Sequence, residues 1–141
     1  MAERLLVDTN VLVRFFVGEP VKQASKVLAL VEKADAEEIV LVITPLIVAE
    51  TIFTLQAFYG MDRKKVAEGL IEFLKSRGIE VVEKETVLDA LERLKHHNIS
   101  IADTYLAATA AASGLRVASF DKDFDTFQDV KRYPWSLLGT V

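Results

Sequence analysis

The sequence predicts an α/β domain built on a parallel sheet with helices on both faces. Three observations carry this expectation. Short β-rich aliphatic runs recur at Arg4–Val7, Ile39–Ile43 and Ile79–Val82. Helical periodicity fills the gaps between them, and cap residues punctuate the boundaries. Strands separated by helical segments need right-handed crossovers, which give a parallel sheet covered on both sides. At 141 residues, with no linker, repeat or low-complexity tract, the chain reads as one domain over residues 1–141.

The elements follow in order. Arg4–Val7 is a buried strand, and Asp8-Thr9-Asn10 turns the chain into a helix from about Val11 to Phe16. Glu19-Pro20 opens a helix through about Ala34, with Ala24, Val27, Leu28 and Val31 on one face. After the Ile39–Ile43 strand, Thr44-Pro45 supplies an N-cap and an N1 proline for a helix from Leu46 to about Phe58. Asp62 caps a helix to about Ser76, which Gly78 ends, and Ile79–Val82 follows as the third strand. Thr86-x-x-Asp89 is a capping-box start for a helix to about His97, and Ser100-x-x-Asp103 repeats the device for one ending at Gly114. Arg116–Ser119 is expected as a fourth strand, with a weaker one near Val130–Arg132 after the acidic turn Asp121–Asp125.

Bulk properties exclude several classes. Cysteine is absent, so neither disulfides nor thiolate metal sites are available, which suits a reducing cytoplasm. The start of the chain carries Glu3 and only three consecutive aliphatics, unlike a signal peptide. The most apolar stretch, Ile39 to Leu55, is broken by Pro45 and Glu50 and falls short of the ~20 apolar residues of a membrane span. A soluble cytoplasmic protein is therefore expected. The net charge of −4 argues against a passive nucleic-acid binder but not against an enzyme that gathers acids around a cation.

Four acids stand out. Asp8 follows the first strand, where it serves equally well as a cap or as an active-site group. Glu50 has Leu46, Ile47, Phe53 and Thr54 as helical neighbours and no Lys or Arg within a turn, so pairing with a cation or a metal is expected if it is buried. Asp103 at N3 suits capping and the helix dipole, yet leaves one oxygen able to point outward. Asp121, Asp123 and Asp125 resemble the start of an EF-hand loop, but Thr126 and Arg132 occupy the positions that need Gly and Glu. Asp121 is then the best-placed ligand, Asp123 the second, and Asp125 a solvated residue. Such oxygen-only donors suit Mg²⁺ or Mn²⁺. Two carboxylates ~4 Å apart repel by ~4 kcal/mol at an effective dielectric near 20, so a cluster of them needs a cation or protons.

Leu6-Val7-Asp8-Thr9-Asn10-Val11-Leu12, Pro45-Leu46-Ile47-Val48-Ala49-Glu50, Ile101-Ala102-Asp103 and Ala118-Ser119-Phe120-Asp121-Lys122-Asp123-Phe124 together resemble the PIN domain family, and within it the VapC-type toxins of toxin–antitoxin pairs. The resemblance spans nearly the whole chain. It implies a three-layer α/β/α fold and Mg²⁺- or Mn²⁺-dependent endonucleolytic cleavage of RNA by Asp8, Glu50, Asp103 and Asp121. It also implies that Thr9 and Asn10 orient the first carboxylate and that Ser119 supports the site, with serine where threonine is common. A homodimer inhibited by a cognate antitoxin is implied as well.

The chemistry is in-line attack of water on a phosphodiester, assisted by one or two metal ions. His96 and His97, at a helix C-terminus, are expected to meet free carbonyls rather than act as bases. Arg14 and Lys122 are candidates for RNA phosphate contacts, with Arg63, Lys64 and Lys65 a further basic group. Phe53, Phe58 and Phe73 are expected in the core unless a dimer uses them. The alternatives are a housekeeping RNA-processing nuclease and a catalytically silent PIN-like binding module. A dehalogenase-type phosphatase would need an acid where Asn10 stands, and a receiver domain would need an aspartate where the third strand ends in Glu83-Lys84.

Overall fold

The computed structural model describes residues 2–139. Three parallel strands, β1 (Glu3–Leu6), β2 (Ile39–Ile43) and β3 (Ile79–Val81), lie side by side in that order. Leu6 stands opposite Val42, and Ile43 opposite Val81. Consecutive strand residues point to opposite faces, yet Leu41, Val42 and Ile43 are all buried. Both faces of the sheet are therefore covered at β2, and the fold is the expected three-layer α/β/α sandwich; β1, expected to be buried, is instead an edge strand on which Arg4 and Leu6 are exposed.

The covering helices are α1 (Thr9–Val17), α2 (Val21–Asp35), α3 (Pro45–Ala57), α4 (Arg63–Leu74), α5 (Lys84–His96) and α6 (Ile101–Ser113). Their apolar faces supply Leu12, Ile52, Leu55, Leu70, Leu74 and Leu91 to one continuous core around the sheet. The cap signals work as the sequence implies at several ends. The Asp62 carboxylate accepts from the Lys65 N–H, and the Ser100 hydroxyl accepts from the Asp103 N–H. Gly78 has φ +80°, and a Cβ there would lie 2.1 Å from the Ala34 carbonyl oxygen, so only glycine lets β3 start this close to the end of α2.

Three further expectations are corrected. Arg116–Ser119 does not join the sheet: Val117 forms only an isolated parallel bridge with Arg132, which also reduces the expected last strand to a single pairing. The reason lies in contacts with residues further along the chain. Val117 alone is buried in that run, and the Ser119 carbonyl accepts from Trp135 Nε1 (3.0 Å) and Arg132 Nη1 (3.3 Å), leaving it nothing for a neighbouring strand. The segment instead builds a satellite core in which Val117, Phe124, Phe127 and Val130 pack on Ala107 and Ala110 of α6. Helix α5 begins at Lys84 rather than Thr86, after Glu83 turns the chain at φ +55°, and Asp89 binds Arg93 one turn on instead of closing a capping box. Finally, Phe73 is buried as expected, but Phe53 and Phe58 on or just beyond α3 are 65% and 77% exposed.

Candidate active site

Parallel strands align their carboxyl ends along one edge of the sheet, where ligands bind in such folds; of the candidate acids, Asp8 follows a sheet strand directly, Glu50 and Asp103 lie in α3 and α6, and Asp121 lies outside the sheet. Asp8 ends the β1 crossing and caps α1, its Oδ1 accepting from the Thr9 N–H at 2.8 Å. The β2 crossing ends at Thr44, and Pro45 starts α3, which lifts Glu50 above the same edge. The Thr9 hydroxyl donates to Glu50 Oε2 at 2.8 Å. Thr9 thus holds two acids from elements 41 residues apart, one through its backbone and one through its side chain.

Glu50 is exposed, against the expectation of a buried acid, because Leu46 and Phe53 on the same face are exposed as well. Asp103 sits in the first turn of α6. The N-termini of α3 and α6 face one another across an apolar cavity of about 280 Å³, lined among others by Ala49, Ala102 and Tyr105, so Glu50 and Asp103 each adjoin a wall residue. Ser100 receives the Asp103 N–H, and no reciprocal bond ties the Asp103 carboxylate among the described residues. Burial, and then a hydrogen bond to Glu83, raise the Tyr105 phenol above its ordinary pKa.

Asp121 belongs to a separate turn. Its N–H donates to the Ser119 hydroxyl at 2.9 Å, and its Oδ1 accepts from the Asp123 N–H at 2.8 Å, which starts the short 3-10 helix Lys122–Thr126. No hydrogen bond or ion pair ties this turn to Asp8 or Glu50 among the described residues. Asp123 is exposed. Asp125, expected to be solvated, is instead clamped by Arg132, whose hydrogen bonds hold its carboxyl below the usual carboxylate range.

A common pattern runs through Asp8, Glu50 and Asp121. In each, one carboxylate oxygen is fixed by a hydrogen bond and the other accepts none among the described residues. None of the three, nor Asp103, has a Lys, Arg or His within 4.0 Å among those residues. A family model of the PIN domain matches residues 5–130. The chain belongs to the PIN domain family. No curated protein matches it.

PIN domains are generally nucleases, which places this chain among hydrolases of nucleic acid. Such nucleases typically use divalent metal ions, and the donor set here fits a hard cation: oxygen ligands only, with no ammonium or guanidinium within 4.0 Å and one oxygen without a hydrogen bond on each bonded acid among the described residues. Among the described residues, no three acidic, histidine or cysteine side chains converge closely enough to hold an ion as they stand. Asn10 is exposed and its side chain makes no hydrogen bond among the described residues, whereas Thr9 bonds both Asp8 and Glu50.

Two of the basic candidates are otherwise occupied. Arg63 donates to the carbonyls of Leu94 and, at 2.9 Å, His97, closing the end of α5. Arg14 donates to Gln23 at 2.7 Å. Lys64, Lys65 and Lys122 are exposed and make no ion pair among the described residues. His96 approaches Glu92 at 3.7 Å, and the His97 ring packs edge-on against Phe127, so neither serves the carbonyls as expected or stands as a base. No helix among the described residues is long and apolar enough to cross a membrane. The Thr9–Glu50 bond had no sequence signal beyond the Asp-Thr-Asn motif itself, because nothing local relates residues 41 positions apart.

Proposed function

We propose that this PIN domain is a divalent-metal-dependent endoribonuclease and the toxin component of a VapC-type toxin–antitoxin pair. The observation that supports it is that Thr9 ties Asp8 and Glu50 together across 41 residues, while these two, Asp103 and Asp121 have no cationic side chain within 4.0 Å among the described residues and Asp89, Asp125 and Asp129 each bind an arginine. Asp8, Glu50, Asp103 and Asp121 would hold Mg²⁺ or Mn²⁺, which when bound would supply Lewis acidity for activating water and charge to offset the phosphodiester. Thr9 fixes Asp8 and Glu50 so that one oxygen of each faces outward. Ser119 shapes the turn that presents Asp121, with Asp123 a further ligand beside it. Lys122, which makes no ion pair among the described residues, contacts the RNA backbone, and Lys64 and Lys65 add further positive charge.

The exposed Phe53, Phe58 and Tyr59 form an apolar surface at the end of α3 that supports a homodimer. The cognate antitoxin acts by entering the active-site groove. Light scattering on Phe53→Arg tests the dimer: a wild-type protein that is already monomeric refutes it. A small partner that co-purifies, or a short adjacent reading frame, separates a toxin from a housekeeping nuclease.

The central test is cleavage of a labelled RNA by the purified chain in Mn²⁺ or Mg²⁺. Asp8→Asn, which keeps the helix cap, is expected to abolish cleavage, as is excess EDTA. Activity that survives either treatment overturns the proposal.

A further inference from the structure

Phe120 sits between Ser119 and Asp121 and is 79% exposed. Its ring lies on Trp135, with centroids 4.4 Å apart and planes 14° from parallel. The satellite core does not need it, since Phe124 and Phe127 already fill that space. An apolar ring held flat, with most of its surface in water, suits a planar partner better than it suits packing.

The support beneath the ring is rigid. Trp135 Nε1 donates to the Ser119 carbonyl at 3.0 Å, while the Ser119 hydroxyl receives the Asp121 N–H at 2.9 Å. Tyr133 meets the Trp135 ring edge-on at 6.0 Å, and the Arg116 guanidinium lies 5.1 Å over Tyr133. Aromatic ring and acid are therefore mounted on the same three residues, Ser119-Phe120-Asp121. Lys122, the next residue, adds an unpaired positive charge within reach of a phosphate.

We propose that the Phe120–Trp135 pair is a stacking platform for an unpaired nucleobase of the RNA strand whose phosphodiester lies at Asp121. The proposal rests on the nuclease reading above and deepens it: it selects single-stranded over duplex RNA, because only an unpaired base offers a free face. The occupant is a nucleobase because the ring neighbours a phosphodiester-cleaving acid and a backbone cation, a combination that matches base, phosphate and charge in one nucleotide. Phe120 lies within the residues matched to the PIN family model and Trp135 beyond them, so the supporting ring comes from outside the matched span.

Trp135 is the sole tryptophan, so its fluorescence reports the platform alone. The probe is a short single-stranded RNA added to the full chain in EDTA, where cleavage cannot occur. Saturable quenching is expected, with none from an abasic strand of equal length and charge or from the same sequence as a duplex. Phe120→Ala is expected to raise Kd roughly 5- to 150-fold, the range for one lost base stack, and Phe120→Tyr to restore binding. In Mn²⁺ the same Ala variant raises KM and leaves kcat near wild type. Equal quenching by the abasic strand or the duplex, or wild-type affinity in Phe120→Ala, overturns the proposal. Cleavage without base-dependent quenching removes the platform and leaves the nuclease; base-dependent quenching without cleavage removes the nuclease reading alone. Because Phe120 is exposed, the variants leave the core untouched.

Discussion

Replacing Thr9 by valine tests whether one hydroxyl organises the site. Valine has the same shape and branching, and the backbone bond from residue 9 to Asp8 Oδ1 is retained, so the helix cap stays intact. Only the 2.8 Å bond from the hydroxyl to Glu50 Oε2 is lost. Hydrogen bonds to charged groups contribute about 1.5–3 kcal/mol when shielded. Glu50 is exposed, and water replaces part of the lost bond, which brings the expected loss to about 1 kcal/mol, or roughly fivefold in an equilibrium constant. That loss should fall on metal capture rather than on the chemical step. In a Mn²⁺ titration of RNA cleavage, the half-saturating concentration of Thr9→Val should rise about fivefold while the rate at saturation stays within about twofold. Thr9→Ser should behave as wild type, and the stability of both variants should stay within about 0.5 kcal/mol. An unchanged Mn²⁺ midpoint, or a lowered rate that saturating Mn²⁺ does not restore, would refute the argument that Thr9 positions Glu50 for a cation.

Asp8→Ala should lower stability by about 1 kcal/mol through loss of the α1 cap, whereas Asp8→Asn should not, and urea melts of the two separate the structural role from the chemical one. Gly78→Ala should cost about 3 kcal/mol or more, because it adds a strained φ and a Cβ 2.1 Å from a backbone oxygen, seen as a large drop in Tm; a shift under a degree would contradict it. Arg93 binds Asp89 and Asp129 together, and its hydrogen bonds hold the Asp129 carboxyl below its ordinary pKa. A lowered folded pKa gives stability that is present above the ordinary carboxylate pKa of about 4 and is lost as pH falls through the folded value. Arg93→Ala should therefore destabilise more at pH 7 than at pH 2.5, read from urea midpoints, and an equal penalty at both pH values would sink this linkage.

What the sequence made legible followed from local periodicity. Ile39–Ile43, a run too short and too β-branched for a helix, emerged with those same bounds, and Ser100 and Gly114 framed α6 from both ends. The failures arose where long-range contacts decide. Arg116–Ser119 reads as a strand by composition, yet side chains 13 and 16 residues downstream take its carbonyl, and no window over the run contains them. Glu83 at φ +55° moved the start of α5 although nothing in the residue type announces a left-handed turn. The acids themselves were legible as residue types at strand ends and helix starts. Which of them touch was not, since the Thr9–Glu50 contact exists only once β1 and β2 lie in register.

The distribution of arginines carries the argument for the site further than proximity does. The C-terminal segment places four aspartates within nine residues, Asp121, Asp123, Asp125 and Asp129. Arg132 takes Asp125 and Arg93 takes Asp129, each through paired hydrogen bonds. Both guanidiniums lie next to the acidic turn, and Arg132 also reaches the Ser119 carbonyl, two residues before Asp121. Had charge balance alone shaped the turn, Asp121 would be the cheapest carboxylate to neutralise. Instead the Asp123 N–H holds one of its oxygens, and the other accepts no hydrogen bond among the described residues. Repulsion among ionised acids grows as they are gathered and solvent is excluded; on the nuclease reading proposed above, a cation from solution would offset it at Asp8, Glu50, Asp103 and Asp121, none of which has an arginine within 4.0 Å among the described residues.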